Sequence, residues 1–337
     1  MNLKIKSATK SAAKSLSLST GLLRAAARFK QPGAVILMYH SIVKDPRETA
    51  DGIGVSQSSR AFELHMRALV KRFQPVTIEQ VARFATSESS LPARAVAVTF
   101  DDGFQDNYDV ALPILARYGI PATFYILVGA VDSGVPPWYC RIRWAFSRTL
   151  KKEWTDPERG KSFSLSNSAS KQDALNLAWD MGAAKSGSGQ EAFVRSIEAD
   201  LEKSLPFAEA AMMSWDQVRA LRRAGHIAGA HTMTHPNLAH VTAQEVEREV
   251  SESKAKLEAE LQEPVEHFSY PHPALNPQWS AATTETVQSA GFRSAALTTG
   301  GCVQSGDSPL ALKRIYAAND LRQWEWNLEM TFLGRPA

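Results

Sequence analysis

Two adjacent carboxylates follow a short apolar run in the first third of the chain. The run from Val96 to Phe100 alternates large and small residues and predicts a buried strand, and Asp101 and Asp102 come directly after it. Successive side chains at a strand end point in opposite directions, so one carboxylate can hold a cation while the other accepts a proton. An ordinary turn is the alternative, because Asp-Asp-Gly is also favourable turn chemistry.

Two histidines stand four residues apart after another short apolar run. His231 follows the predicted strand Ile227–Ala230, and His235 precedes Pro236. On a helical turn, residues four apart share a face, so two imidazoles can reach one metal ion. Taken alone, the pair is equally compatible with two surface histidines. Together with the two aspartates at another strand end, it predicts a shared metal site.

These two stretches together resemble a known family. Thr99-Phe-Asp-Asp-Gly103 and His231-Thr-Met-Thr-His-Pro236 are similar to the paired motifs of the polysaccharide deacetylase family, also called the NodB-homology domain or carbohydrate esterase family 4. Segments beginning at Tyr118, Ser214 and Phe268 resemble neighbouring parts of the family. The resemblance covers roughly residues 33 to 320, with a poorly matching middle.

The resemblance implies a metal-dependent hydrolase that removes an N-acyl group, chiefly acetyl, from an amino sugar of a polysaccharide or its precursor. It assigns Asp102, His231 and His235 as ligands of one divalent metal; zinc is the first expectation, and nickel, cobalt and manganese are alternatives. Three protein ligands leave one coordination position of the metal open for water or substrate. A metal in such a site lowers the pKa of bound water and polarises a carbonyl. Asp101 is left unligated and is implied as the general base.

Two departures from the family pattern leave other catalytic roles open. Ser269-Tyr-Pro-His272 stands where the family usually has Arg-x-Pro-Tyr, and we expect Arg314 to replace the missing arginine beside the base. No histidine follows residue 272, so the histidine that usually acts as the general acid in the family is absent. The candidates to replace it are His272, His40 and water on the metal. Substrate contacts are expected from Tyr270, His272 and His40, with a backbone amide near His272 facing the oxyanion. A hydrogen-bonded strand-end histidine is the structural alternative for His40.

Strands and helices alternate along most of the chain. Apolar runs predict strands at 34–39, 96–100, 121–128, 227–230, 267–271, 294–297 and 312–316, and capping boxes and helical periodicity predict helices between them. This order predicts an α/β fold with parallel strands covered by helices. The resemblance implies a distorted, incomplete (β/α) barrel, in which the predicted site residues lie at or near the carboxyl ends of strands.

The 337 residues divide into a leader, a deacetylase domain and an insertion. Residues 1–32 are basic, without an acidic residue, and predict a flexible or amphipathic segment in weak contact with an anionic membrane surface; a solvated leader is the alternative. Polar residues interrupt its apolar run, which predicts neither a secretory signal nor a membrane span. Residues 33–332 form the predicted domain, with a mostly helical insertion at about 131–213 whose aromatic residues either stack on a ligand or form its core.

Composition is that of an ordinary globular protein, with 44% hydrophobic and 22% charged residues. A formal net charge of +3 is only mildly basic and does not indicate a nucleic-acid partner. Cys140 and Cys302 form no disulfide framework, and two free thiols favour a reducing compartment, although a single bridge is the alternative. We expect a cytoplasmic protein, peripheral at the inner membrane face, acting on an N-acetylated amino-sugar polymer, oligomer or lipid-linked precursor. The alternatives are a C–N hydrolase of a small cytosolic amide and a non-catalytic carbohydrate-binding homologue.

Overall fold

The computed structural model describes residues 33–44, 56–202 and 211–335, so the predicted basic leader lies outside the described residues. The strands are β1 (Ala34–Tyr39), β2 (Ser41–Val43), β3 (Ser56–Ser58), β4 (Gln74–Val76), β5 (Ala95–Phe100), β6 (Ala122–Ile126), β7 (Glu153–Thr155), β8 (Ser162–Ser164), β9 (Ile227–Ala230), β10 (His267–Ser269), β11 (Ser294–Ala296) and β12 (Ile315–Tyr316). The helices are α1 (Ser59–Arg72), α2 (Ile78–Ala85), α3 (Leu112–Tyr118), α4 (Val128–Ser133), α5 (Trp138–Arg148), α6 (Ser168–Ala183), α7 (Gly187–Asp200), α8 (Trp215–Arg223), α9 (Ala243–Leu261), α10 (Ala281–Ser289) and α11 (Leu321–Phe332).

A parallel sheet with the order β11-β10-β9-β6-β5-β1-β12 forms the centre of the fold, and β4 pairs with β5 beside this path. The two ends of the sheet meet through Leu312, whose N–H donates to Ala295 and whose carbonyl accepts from Leu297. This junction holds the ends together by a short bridge instead of a full ladder. The predicted incomplete (β/α) barrel is therefore confirmed.

The strands of the sheet are buried on both faces. Along β1, Val35 and Leu37 belong to the apolar cluster that contains side chains of α1, whereas Ala34 and Ile36 belong to a second cluster that contains side chains of α2. Burial of both faces is expected of parallel strands covered by helices and explains why their sequences are continuous apolar runs. The polar residues that follow these runs are therefore placed by a rigid, buried scaffold.

Three of the described helices begin with capping boxes, a pattern that the sequence predicts. The hydroxyls of Thr77, Ser214 and Thr242 each accept the backbone N–H three residues later, and the side chain at that position bonds back to the cap. These reciprocal bonds satisfy amides that a helix leaves unpaired at its start. The cap at Ser214 fixes the start of α8, the helix that leads directly into β9.

The insertion is mostly helical, as predicted, but it also contains a hairpin that the sequence did not reveal. Strands β7 and β8 pair antiparallel between helices α5 and α6 of the insertion. Each strand is three residues long and buries one aromatic ring, Trp154 or Phe163, and the ring centroids lie 5.9 Å apart. Such short strands carry too little alternation to be recognised from sequence.

Two further findings concern the cysteines and the lengths of the helices. Cys140 and Cys302 are both free thiols. Within the described ranges, each helix is too short or too polar to cross a lipid bilayer.

Candidate metal centre and active site

The carboxyl ends of several strands surround one cavity of about 200 Å³. Seven of the eight predicted site residues line this cavity, namely His40, Asp101, Asp102, His231, His235, Tyr270 and His272. The eighth, Arg314, lies just before β12 and is fully buried, with its side chain against Asp101. The structure thus brings together residues that follow β1, β5, β9 and β10 and one that precedes β12.

Asp102, His231 and His235 form a cluster whose potential ligand atoms all lie within 4.8 Å of one another. The Oδ1 atom of Asp102 lies 3.5 Å from Nε2 of His231 and 3.6 Å from Nε2 of His235. This Oδ1 is buried and has no hydrogen-bond partner among the described residues. Burying a hydrogen-bond acceptor without a partner costs free energy. The unpaired Oδ1 therefore indicates that this atom is positioned to bind a ligand.

The electrostatics of the cluster fit a divalent cation. Burial and the nearby negative charge of Asp101 raise the pKa of Asp102 to about 8. The surrounding protein therefore supplies too little positive charge to stabilise the ionised form of this carboxylate. Burial also lowers the pKa of His231 and holds that of His235 well below its usual range, which keeps both imidazoles neutral. Two neutral imidazoles and one carboxylate are the donor set of many three-ligand metal sites. A cation beside Oδ1 would supply the missing charge.

His231 has a defined tautomer. Its Nδ1 lies 2.8 Å from the carbonyl oxygen of Ser269, and because a carbonyl only accepts, Nδ1 carries the proton. The lone pair is therefore on Nε2, the atom that faces Asp102. A backbone carbonyl on the second ring nitrogen is the usual way to orient a metal-binding histidine.

The loop that carries both histidines is not the helical turn expected from their spacing. Thr232 and His235 have left-handed backbone conformations, with φ of +67° and +60°. The Thr232 hydroxyl accepts the N–H of His235 at 3.0 Å, and Glu249 of α9 accepts the N–H groups of Met233 and Thr234 at 2.8 Å each. The prediction of a helical turn was wrong because these side chains, rather than backbone helix bonds, satisfy the loop's amides.

Arg314 forms a bidentate ion pair with Asp101, with both nitrogen–oxygen distances at 2.7 Å. The guanidinium also donates to the carbonyl of Leu297 at 2.9 Å and to the hydroxyl of Ser269 at 2.8 Å. Burial by itself raises the pKa of Asp101, but the adjacent Arg314 outweighs burial and holds this pKa well below the usual range. Asp101 is therefore ionised and fixed in orientation. Arg314 lies where the sequence predicted a replacement for the family's missing arginine.

His40 and His272 lie on the wall of the cavity in different surroundings. The ring of His40 is nearly parallel to that of the exposed Tyr316, with centroids 6.3 Å apart. Burial lowers the pKa of His40 to about 4, against the opposing effect of the Asp101 charge. Nδ1 of His272 lies 3.1 Å from the Thr298 hydroxyl, and burial lowers the pKa of His272 as well.

Tyr270 is predicted to contact substrate, and the structure limits how it can do so. The side chain is fully buried, and its hydroxyl donates to the carbonyl of Leu310 at 3.1 Å. This hydroxyl therefore already donates a hydrogen bond within the protein. The part of Tyr270 that lines the cavity offers substrate an apolar surface instead.

The structure adds cavity residues that the sequence did not identify. Tyr139 and Trp179 come from the insertion, Thr298 follows β11, and Tyr316 lies in β12. The Tyr139 hydroxyl donates to Oδ2 of Asp102 at 2.6 Å. The aromatic patch around Tyr139 was visible in the sequence, but its spacing gave no sign of which ring faces the cavity and which is core.

A second group of possible metal ligands contains Glu79, Glu266 and His267. Arg293 lies 3.5 Å from a carboxylate oxygen of each glutamate, so the two acidic groups already have a cationic partner. Nδ1 of His267 lies 2.8 Å from the hydroxyl of Ser294. We therefore interpret this group as an ion-pair network.

In this incomplete (β/α) barrel, two aspartates and two histidines lie together at the carboxyl ends of parallel strands. The family model described as polysaccharide deacetylase matches residues 88–295. The chain therefore belongs to the polysaccharide deacetylase family, which confirms the resemblance found in the sequence.

Individual relatives match over shorter stretches. The chain is 34% identical over 93 residues to the protein YxkH of Bacillus subtilis (strain 168), and this alignment covers 27% of the chain and 31% of the relative. It is 33% identical over 102 residues to the poly-beta-1,6-N-acetyl-D-glucosamine N-deacetylase of Escherichia coli (strain K12), covering 30% of the chain and 15% of the relative. The matched stretches are thus less than a third of these relatives' lengths.

Two solved structures share the fold over most of the chain. The Streptococcus pyogenes deacetylase PplD, solved in complex with acetate, has a TM-score of 0.59 at 19% identity and aligns over 88% of this chain and 97% of its own. IcaB from Ammonifex degensii has a TM-score of 0.59 at 17% identity, over 89% and 98%. At these identities the likeness establishes the fold.

Proposed function

We propose that the chain is a metal-dependent hydrolase that removes N-acetyl groups from an amino-sugar polysaccharide. The observation that carries the proposal is the arrangement of Asp101, Asp102, His231 and His235 in one cavity, with one carboxylate ion-paired and the other facing two imidazoles. Membership of the polysaccharide deacetylase family supports this reaction class. The name of the Escherichia coli relative supports a polymer of N-acetylated glucosamine as the substrate to test first.

Asp102, His231 and His235 would hold the metal, for which zinc is the first candidate and nickel, cobalt and manganese are alternatives. When bound, a divalent ion there supplies Lewis acidity toward the acyl carbonyl and makes water more acidic. Asp101 accepts the proton of the attacking water, since its Oδ2 lies 3.9 Å from Nε2 of His231 and therefore borders the same space. Arg314 keeps Asp101 ionised and correctly oriented.

The leaving amine needs a proton, and we assign His40 as its donor in preference to His272. His40 lines the same cavity as Asp101 and His231, and the charges of Asp101, Arg314 and His231 all act on its pKa. The pKa of His272 responds to burial and to the backbone at Leu275 instead. Burial lowers the pKa of His40 to about 4, and the negative charge of Asp101 acts in the opposite direction, toward the protonated form that a general acid requires. His272 then contributes a substrate contact.

Replacing each histidine by alanine distinguishes these roles. For His40→Ala we expect kcat to fall by about 10²-fold or more, because proton transfer by a positioned side chain contributes about 10²–10⁴-fold. For His272→Ala we expect chiefly a higher KM, because a ground-state contact is lost. Steady-state kinetics on an N-acetylated oligosaccharide measure both. The reverse pattern would assign the acid to His272.

Acetate release from N-acetylglucosamine oligomers is the direct test of the proposed function. The purified protein is expected to release acetate, to lose this activity after treatment with a chelator, and to regain it when zinc or cobalt is added back. Acetate release that a chelator leaves unchanged would refute the metal role. Cleavage of small amides but not of sugars would favour the alternative C–N hydrolase, and saturable oligosaccharide binding without hydrolysis would favour a carbohydrate-binding homologue.

The remaining sequence-based expectations concern location and further partners. Action on an oligomer or a lipid-linked precursor, a cytoplasmic location and weak membrane contact through residues 1–32 stay predictions. Comparing the oligomer with a lipid-linked N-acetylated sugar in the acetate assay separates two of these substrate forms.

A further inference from the structure

Helix α5 of the insertion reaches the candidate metal centre through its first turn. The hydroxyl of Tyr139 donates to Oδ2 of Asp102 at 2.6 Å, a short hydrogen bond to a carboxylate. Both side chains are buried, with Tyr139 5% exposed and Asp102 1% exposed. With Oδ2 engaged by this hydroxyl, Oδ1 is the carboxylate atom left facing the two imidazoles.

The same turn of α5 also contacts the second histidine ligand. The ring of Tyr139 packs against that of His235, with centroids 5.0 Å apart, and the indole N–H of Trp138 donates to the carbonyl of His235 at 3.0 Å. His235 has the left-handed backbone described above, so contacts on both its ring and its carbonyl help to hold that conformation. Two neighbouring residues of the insertion thus touch two of the three candidate ligands.

We propose that Tyr139 is a positioning residue of the metal centre, which makes the insertion part of that centre. Its hydroxyl fixes the rotation of the Asp102 carboxylate, so that Asp102 offers the metal Oδ1 alone, and its ring supports His235. This inference rests on the proposed function, because it takes Asp102, His231 and His235 as the ligands. The inference gives the insertion a role in metal affinity.

Replacing Tyr139 by phenylalanine tests the role of the hydroxyl, because the ring and its packing against His235 are retained. Losing a side chain that orients a ligand typically weakens metal binding by about 10–100-fold. We therefore expect the Kd for Co²⁺, measured by titrating the visible absorption of the protein-bound ion, to rise by about that factor. We also expect the absorption bands to shift, since Asp102 becomes free to rotate and to present both oxygens.

The matched control is Tyr125→Phe. Tyr125 is also fully buried, but its hydroxyl has no hydrogen-bond partner among the described residues, so its loss should leave both the Kd and the Co²⁺ spectrum unchanged. Thermal unfolding of both variants verifies that each is folded. If Tyr139→Phe binds Co²⁺ with wild-type affinity and spectrum, the positioning role is refuted while the proposed function stands. If the wild-type protein itself binds no Co²⁺, the proposed function fails and the positioning role fails with it.

Discussion

Replacing His231 by alanine is expected to remove both the metal and the activity. His231 is 1% exposed, its tautomer is fixed by the carbonyl of Ser269, and its Nε2 faces Oδ1 of Asp102 at 3.5 Å. Without this ligand, one carboxylate and one imidazole remain, too few for a stable site. Metal-ion catalysis supplies several kcal/mol and about 1.4 kcal/mol is tenfold in rate, so we expect acetate release to fall by about 10³-fold or more.

Elemental analysis of the reconstituted protein measures the metal, and acetate release measures the activity. The matched control is His226→Ala, which removes another buried histidine, one that accepts the N–H of Ala122 and lies outside the cavity. This control is expected to lose some stability and to retain stoichiometric metal. Stoichiometric metal in His231→Ala would show that the ligand set is wrong.

Replacing Asp101 by asparagine is expected to separate metal binding from catalysis. The metal should remain, because Asp102, His231 and His235 are unchanged, whereas kcat should fall by about 10²–10⁴-fold because the general base is lost. The variant should also be less stable by about 3–5 kcal/mol, since Arg314 is left buried without its charged partner. Metal analysis, kinetics and denaturant unfolding measure the three effects.

Two further variants serve as controls for the effects of Asp101→Asn on activity and stability. Asp106→Asn alters a half-buried aspartate that accepts the Ser41 hydroxyl and does not line the cavity, so metal and kcat should stay near wild type. Adding Arg314→Met to Asp101→Asn removes the unpaired charge and should recover stability without recovering activity. Wild-type kcat in folded Asp101→Asn would contradict the assignment of Asp101 as the base.

The sequence alone was sufficient to predict features that depend on residues close together in the chain. The apolar runs of β1 and β5, the capping box at Thr242 and the polar pair after Phe100 are all local patterns, and the structure contains each of them. The pairing of the aspartates with the histidines was also predictable, because parallel strands in a barrel present their carboxyl ends on one side.

The tertiary structure decided the contacts between distant segments. Arg314 meets Asp101 across 213 residues of sequence, and the sequence suggested this partner through the absence of another arginine, not through any local signal. Tyr139 meets Asp102 across 37 residues, and no spacing rule links an insertion helix to a strand end. The left-handed loop at His235 likewise depends on Glu249, which lies on a different element. Local sequence determines which elements form, but the ring or guanidinium that reaches a buried carboxylate is determined by how those elements pack around it.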